Sequence, residues 1–285
     1  MPELPEVETI VRDLNKKIVG KKITHIWADW PGHFKHSPGG INAFKKEIVD
    51  KQIRGVQRLG KNIIFDLGAW MMLVHLKMTG KLLVETRNKG QETRKAEAAE
   101  KSKHVHMVFW LSGGTIMSFS DVRKFGKMAL IPKKDFQTSE HMSRLGPDML
   151  DAELNAEIFK NLIKKRHGPI KKTLMDQNVI SGIGNIYSDE ILFTAKIHPL
   201  KRASTLTEKD LKAIFDASRK ILKKAVKLRG SSISDYRDTE GKPGSYAQVR
   251  LVYRRKGEPC PRCGTKISRL MVGGRSAHFC PKCQI

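Results

Sequence analysis

No apolar run in the chain approaches the ~20 residues that a membrane-spanning helix needs, so nothing in the sequence supports a membrane-embedded protein. The leading residues, Met1-Pro2-Glu3-Leu4-Pro5-Glu6, are acidic and lack the basic-then-apolar order of a secretory signal. Cysteine is confined to the last 26 residues, where it occurs four times. No internal repeat is present. Acid is scarce beside base: 29 Asp and Glu against 54 Lys and Arg leave a net charge of +25. Such an excess repels itself in a compact state and is most simply explained by a polyanionic partner. Nucleic acid is the leading candidate and an acidic membrane surface the second. The basic residues spread along most of the chain, so the partner is expected to touch folded surface rather than a tail. What is present is otherwise ordinary: 285 residues, 39% hydrophobic, enough for roughly two domains with packed cores.

Val7, Ile10, Val11, Leu14 and Ile18 fall at helical spacing and predict an amphipathic helix over about 6–19. Short strand-like stretches follow at 23–30, 53–59, 62–67, 71–77, 81–85, 105–111, 115–120 and 127–132. Their lengths and glycine-bearing turns favour a β-sandwich or barrel over a βαβ array. The stretch 87–103 is polar, of mixed charge and without apolar period, and reads as a solvated loop or loose helix. From about 139 to 230 the apolar spacing is helical, with Ser204 or Thr205 able to open the last long helix. Residues 229–249, rich in Gly, Ser and Asp, read as a mobile loop.

The four cysteines stand as Cys260-Pro-Arg-Cys263 and Cys280-Pro-Lys-Cys283, with sixteen residues between the pairs. Two C-x-x-C turns at a hairpin-sized spacing fit a closed tetrathiolate zinc site; two disulfides or a redox pair are the alternative. Residues 266–272 and 277–279 would form two strands, with Gly273-Gly274-Arg275 as their turn. Ser181-Gly182-Ile183-Gly184-Asn185 lies between helical stretches and is neither a Walker loop nor a dinucleotide fingerprint. Its two glycines allow backbone N–H groups to approach a phosphate, or simply a tight helix–helix turn.

Taken together, the motifs identify a resemblance. The chain resembles the bacterial formamidopyrimidine-DNA glycosylase family through M-P-E-L-P-E-V-E at 1–8, L-G-K at 59–61 and H-L-K-M-T-G-K at 75–81. Further matches are D-V-R-K-F-G at 121–126, D-Q-N-V-I-S-G-I-G-N-I-Y-S-D-E at 176–190 and G-R-S-A-H-F-C-P-K-C-Q at 274–284. The resemblance implies an α+β fold with these parts: 1–136, an N-terminal β-sandwich catalytic domain with flanking helices; 137–230, a helix-two-turn-helix DNA-binding domain; 231–255, a lesion-capping loop and linker; and 256–285, a zinc finger built on a β-hairpin.

It also implies a bifunctional DNA glycosylase and AP lyase of base excision repair. Such an enzyme removes oxidised purines (8-oxoguanine, formamidopyrimidines) and cleaves the strand by β,δ-elimination. Removal of Met1 would expose Pro2, whose secondary amine attacks C1′ and forms a Schiff base. Glu3 would be the acid/base and Glu6 a positioning group. Lys61 would contact phosphate beside the lesion and assist elimination, and Arg275 would act in the later elimination step. Met78, Arg123 and Phe125 would fill the void left by the extruded nucleotide. His75, Arg166, Lys171 and Asn185 would contact DNA, and Ser231–Tyr236 would close over the flipped base. Cys260, Cys263, Cys280 and Cys283 would hold one structural zinc ion.

The implied partner is duplex DNA carrying oxidised bases or abasic sites, bound by a monomer in the bacterial cytoplasm at the nucleoid. Departures from the family pattern include Ser102, where a DNA-contacting His is expected, and Val122 and Lys124 within the 121–126 motif. The rival readings are a damaged-DNA-binding protein of the same fold without turnover and an unrelated zinc-ribbon RNA-binding protein.

Overall fold

Leu4, Val7, Ile10, Leu14 and Ile18 form one fully buried stripe on the first helix, α1 (Leu4–Ile18). The helix opens earlier than the periodicity predicts because Glu3 caps it, and Pro5, in its first turn, forfeits no hydrogen bond there. The stripe packs on two four-stranded antiparallel sheets. One sheet has the order β1 (Ile23–Ala28), β6 (Val105–Leu111), β7 (Thr115–Ser120), β5 (Lys81–Thr86). The other has the order β2 (Gly55–Leu59), β3 (Asn62–Asp66), β4 (Trp70–His75), β8 (Lys127–Pro132). Residues two apart line the inward faces: Met107, Phe109 and Leu111; Met117 and Phe119; Ile63 and Phe65; Met72 and Val74; Met128 and Leu130. Each such buried side chain contributes about 1.5–3 kcal/mol, so their joining with α1 into one core cluster makes the sandwich the rigid floor of this unit. The strand positions follow the sequence expectation to within two residues at most ends. Helix α2 (Gly40–Ile48) was not legible, since it buries only Phe44 and Ile48.

The computed structural model describes residues 1–34, 37, 39–86, 103–233 and 235–285; the polar stretch 87–102 lies outside them. Two compact units emerge, one of Met1–Ser143 with Arg229–Ser245, the other of Arg144–Leu228 with Tyr246–Ile285. The segment expected as a single loop and linker, 231–255, is therefore divided between them. Its first part is anchored, not loose. Arg229 pairs with Asp13 (2.6 Å) and Asp238 (2.7 Å), and Tyr236, Asp238 and Thr239 are buried.

The second unit is helical: α4 (Ala156–Lys164), α5 (Ile170–Met175), α6 (Asn185–Ala195) and α7 (Glu208–Lys227), after a single turn α3 (Glu140–Ser143) that belongs to the first unit. Thr207, rather than Ser204 or Thr205, caps α7: its hydroxyl accepts from the Asp210 N–H at 3.2 Å, and the Asp210 carboxylate accepts in return from the Thr207 N–H at 3.1 Å. Ser204 and Thr205 lie in a short 3-10 turn before the cap. The chain ends in a hairpin, β9 (Ser268–Val272) and β10 (Arg275–Phe279). Its turn is the two residues Gly273 and Gly274, both at positive φ (54° and 75°), the geometry of a I′ hairpin. Arg275, expected in that turn, instead opens β10 opposite Val272. Among the described residues, no helix is long and apolar enough to cross a membrane.

Candidate active site and nucleic-acid interface

In the first unit the chain's leading end is buried from Pro2 onward, with only Met1 exposed. Glu6, one turn into α1, holds two things at once. One carboxylate oxygen accepts from the Glu3 N–H at 2.7 Å, and the other from the Ser231 N–H, also at 2.7 Å. Gly230 adjoins it at φ 81°, and a Cβ there would stand 2.8 Å from the Glu6 side chain. The Tyr236 hydroxyl reaches the Glu6 carbonyl at 3.5 Å. Glu6 thus ties the residue after Pro2 and Ser231 to one carboxylate. Ser234 lies outside the described residues.

The groups acting on the terminal amine are Glu3, Glu6, Asp235 and Lys61. Burial outweighs the three carboxylates and holds that amine below its ordinary value. Lys61 reaches this place from the two-residue turn joining β2 to β3, where Leu59 pairs with Asn62 and Gly60 supplies a positive φ of 57°. Lys61 is buried.

His75 ends β4 beside the same lysine. Burial, followed by the charges of Lys77, Lys61 and Lys127, pushes its imidazole down to about 3. The Lys77 N–H donates to His75 Nδ1 at 3.0 Å. A neutral ring whose Nδ1 accepts carries its proton on Nε2, so His75 offers an N–H donor among three ammonium groups. That is a place suited to an anionic oxygen.

Met78, Arg123 and Phe125 stand on two loops tied together by Asp121, a fully buried carboxylate. Asp121 accepts from the Thr79 hydroxyl (2.5 Å), the Arg123 N–H (3.3 Å) and the Gly126 N–H (2.7 Å). Gly80 and Gly126 permit the fit, because a Cβ would meet the Leu76 carbonyl at 2.4 Å in the first case and Phe119 at 2.5 Å in the second. On this braced platform Met78 is 36% and Phe125 53% exposed, and the Arg123 guanidinium lies 4.6 Å over the Phe125 ring. Two large apolar side chains held out to solvent by a buried network are poor core residues and good wedges. In the sequence Asp121 stands out only as the first residue of the 121–126 motif; its burial, which sequence patterning does not register, is what makes it the brace.

In the second unit, Gly182-Ile183-Gly184 turns the chain into α6. Gln177 locks the turn by accepting from the Gly182 N–H and donating to the Ile183 carbonyl, both at 2.9 Å. Asn185 is the first residue of α6, at the positive end of its dipole. Its Oδ1 is buried without a partner, and its Nδ2 stands 3.5 Å from the Tyr253 hydroxyl. Exposed Arg166 and Arg275 line a cavity of about 380 Å³ together with His167, Lys172 and Asp176. Lys171 departs from its expected place on the surface. It is 0% exposed, and its ammonium is taken up by Asp189, by the Ser188 hydroxyl (3.2 Å) and by the Asn185 carbonyl (3.4 Å). Its helical position turns it inward, where its neighbours Arg166 and Lys172 do not go.

The cysteine Sγ atoms all lie within 4.8 Å of one another, with Cys260–Cys283 at 4.0 Å and Cys263–Cys280 at 3.5 Å. A tetrahedral ion with Zn–S bonds of about 2.3 Å has sulfur–sulfur edges of about 3.8 Å, so the set fits one structural zinc with no open position. Disulfide pairing is excluded by these distances, and all four thiols are free.

Three family models match in chain order: the formamidopyrimidine-DNA glycosylase N-terminal domain over residues 1–128, the H2TH domain of the same enzymes over 145–237, and a zinc finger found in FPG and IleRS over 257–285. A formamidopyrimidine-DNA glycosylase of Pelotomaculum thermopropionicum is 39% identical over all of this chain and 99% of its own length. One of Oceanobacillus iheyensis is 38% identical over all of this chain and 98% of its own. Among solved structures, the Lactococcus lactis Fpg in complex with DNA containing an abasic site is 37% identical, covers 99% of both chains and has a TM-score of 0.86. MutM in complex with DNA containing carbocyclic 8-oxo-G is 38% identical, with the same coverage and TM-score.

Proposed function

Since the chain belongs to the formamidopyrimidine-DNA glycosylase family and is a DNA glycosylase of base excision repair, we propose that it excises oxidised purines through Pro2 and then cleaves the strand as an AP lyase. The observation that carries this reading is the setting of the leading end, where Pro2 is buried and Glu3, Glu6 and Lys61 act on the terminal amine.

Release of Met1 turns the Pro2 nitrogen from an amide into a secondary amine with a free electron pair. An α-amine titrates near 8, far below a lysine near 10.4, so a usable fraction is unprotonated at neutral pH. Burial lowers the amine of Met1, and Pro2, which is itself buried, becomes the leading residue once Met1 is released. Attack on C1′ forms the N–C1′ bond as the bond to the base breaks and the base leaves with its electron pair. Glu3 supplies the proton to the sugar oxygen as the ring opens to the iminium. Lys61 and His75 hold the neighbouring phosphate, one as a cation and one as a neutral N–H donor. Met78 and Phe125 occupy the vacated stack, which offsets the few kcal/mol that extrusion costs, and Arg123 bonds the orphaned base. Arg166, Asn185 and Arg275 grip the backbone from the second unit, with Arg275 serving the final elimination. Duplex DNA with an oxidised or abasic nucleotide, bound by one chain, is the partner.

Borohydride added to the Met1-processed protein with an 8-oxoguanine duplex should trap a covalent protein–DNA adduct. A Gly inserted before Pro2 should abolish the adduct while leaving DNA binding within a few fold. Intact binding by the processed protein with no trapped adduct would establish the non-catalytic binding protein instead.

A further inference from the structure

Three elements of the second unit converge on one buried carboxylate. Asp189, in the first half of α6, is 1% exposed. One of its oxygens takes the Lys171 ammonium from α5. The other accepts from both the backbone N–H of His278 (2.9 Å) and His278 Nδ1–H (3.0 Å), in β10 of the zinc hairpin. Lys171 also reaches the carbonyl of Asn185, one turn before Asp189. His278, three residues along β10 from Arg275, is itself 5% exposed. The next residue, Glu190, performs a parallel task. It accepts from the N–H groups of Leu251 (2.7 Å), Val252 (2.9 Å) and Tyr253 (2.9 Å), and so holds to α6 the segment that leads into the zinc module.

A buried charge is costly unless it is paired and its remaining lone pairs are used. Asp189 meets that condition only when α5, α6 and the hairpin are in register. A shift of the hairpin would leave an oxygen unsatisfied in a dry site, so this arrangement is narrow. The cavity lined by Arg166 and Lys172 on one side and Arg275 on the other is bounded by the elements that Asp189 joins.

We propose that Asp189 is a positioning residue that sets the spacing between Arg275 on the zinc hairpin and Asn185 at the start of α6, so that both grip the DNA backbone in one fixed register. Lys171 is its buried counter-charge and reaches DNA only through this frame. The part of the inference that concerns elimination rests on the function proposed above; the part that concerns grip does not.

The test uses the full zinc-loaded chain, with zinc content measured on each sample. A duplex carrying a tetrahydrofuran abasic analogue reports affinity and its salt dependence, and a duplex with a natural abasic site reports the product split. Asp189→Asn should weaken binding about tenfold, the order of one lost charge-assisted grip. It should also lower the log–log salt slope by about one as Arg275 loses its phosphate, and shift products from β,δ- toward β-elimination. This variant strands the Lys171 ammonium and so risks misfolding.

His278→Phe leaves the Lys171–Asp189 pair intact and severs only the hairpin's side-chain link. It should weaken binding roughly threefold and change slope and product split in the same direction. A purely structural role would lower the melting temperature and the active fraction but would leave the slope and split of the surviving molecules untouched. A folded, zinc-replete His278→Phe protein with wild-type slope and wild-type split overturns the inference. Failure of the wild-type protein to form any trapped adduct would remove the Schiff-base reading and the product arm, and the slope would still decide the role of Asp189.

Discussion

At the scale of single residues, the site works by choosing protonation states through burial. His75 is the clearest case. Its folded imidazole lies near 3, against 6.5 when unfolded, so on acidification the unfolded chain takes up its proton first. The contribution of this group to stability is complete above about 6.5 and declines as the pH falls toward 3. Across the working range the ring stays neutral and its Nε2–H remains a donor. An NMR titration of His75 should therefore show a neutral-form imidazole from pH 8 down to about 4.5, well above the pH near 3 at which the folded ring takes up its proton. Duplex affinity should show no step near 6.5 that vanishes in His75→Ala. A His75 resonance titrating between 6 and 7 would mean that the surrounding lysines do not govern it. The residue itself was legible in the 75–81 motif, but its charge state was not, since it depends on lysines 14 and 52 positions away in sequence. Lys171 teaches the same lesson in reverse. The resemblance implies a DNA contact for it, and only the fold shows that its ammonium is taken up by Asp189.

Among the elements, strands and helices with strong apolar period were readable in place, because period-2 and period-3.6 burial is written directly into the chain. What escaped was set by contacts that the pattern does not carry. Helix α2 has two buried residues; the cap of α7 was decided by the reciprocal bond between Thr207 and Asp210. The 231–245 segment has loop composition yet is fastened through Arg229 and Glu6. The hairpin turn shows how small a difference matters. Two glycines at positive φ close it without a third residue, which moves Arg275 from the tip into the first pair of β10. Gly274 has open space around it, so a side chain there meets no neighbour and pays only for its backbone conformation. Gly274→Val should accordingly cost about 1–2 kcal/mol of local hairpin stability. Amide exchange should accelerate in β9 and β10 while zinc stoichiometry stays at one, and strand cleavage should fall with the loss of order at Arg275. Unchanged exchange in both strands would show that the turn does not dictate their pairing.

For the whole molecule, the governing quantity is a net charge of +25, drawn from both units. Charge of that size serves no purpose in folding and works against it; DNA phosphates neutralise it and release condensed counterions on binding. The candidate backbone contacts, Lys61, His75, Arg166, Asn185 and Arg275, come from five separate places, one turn, two strand ends and two helix ends, with further lysines around His75. If six to ten phosphates are engaged, affinity for an undamaged duplex should fall by about 10³–10⁵ between 50 and 200 mM salt. A lesion duplex should fall with nearly the same slope, displaced to tighter binding, because the proposed wedge of Met78 and Phe125 and the proposed base contact of Arg123 would add affinity without releasing many counterions. Replacing Phe125 with Ala should close part of the gap between the two lines and leave their slopes alone. Replacing Arg166 should lower both slopes by about one and leave the gap alone. Slopes that differ strongly between lesion and undamaged duplex would mean that recognition of damage is itself electrostatic, and the division of labour between a cationic grip and an apolar wedge would then fail.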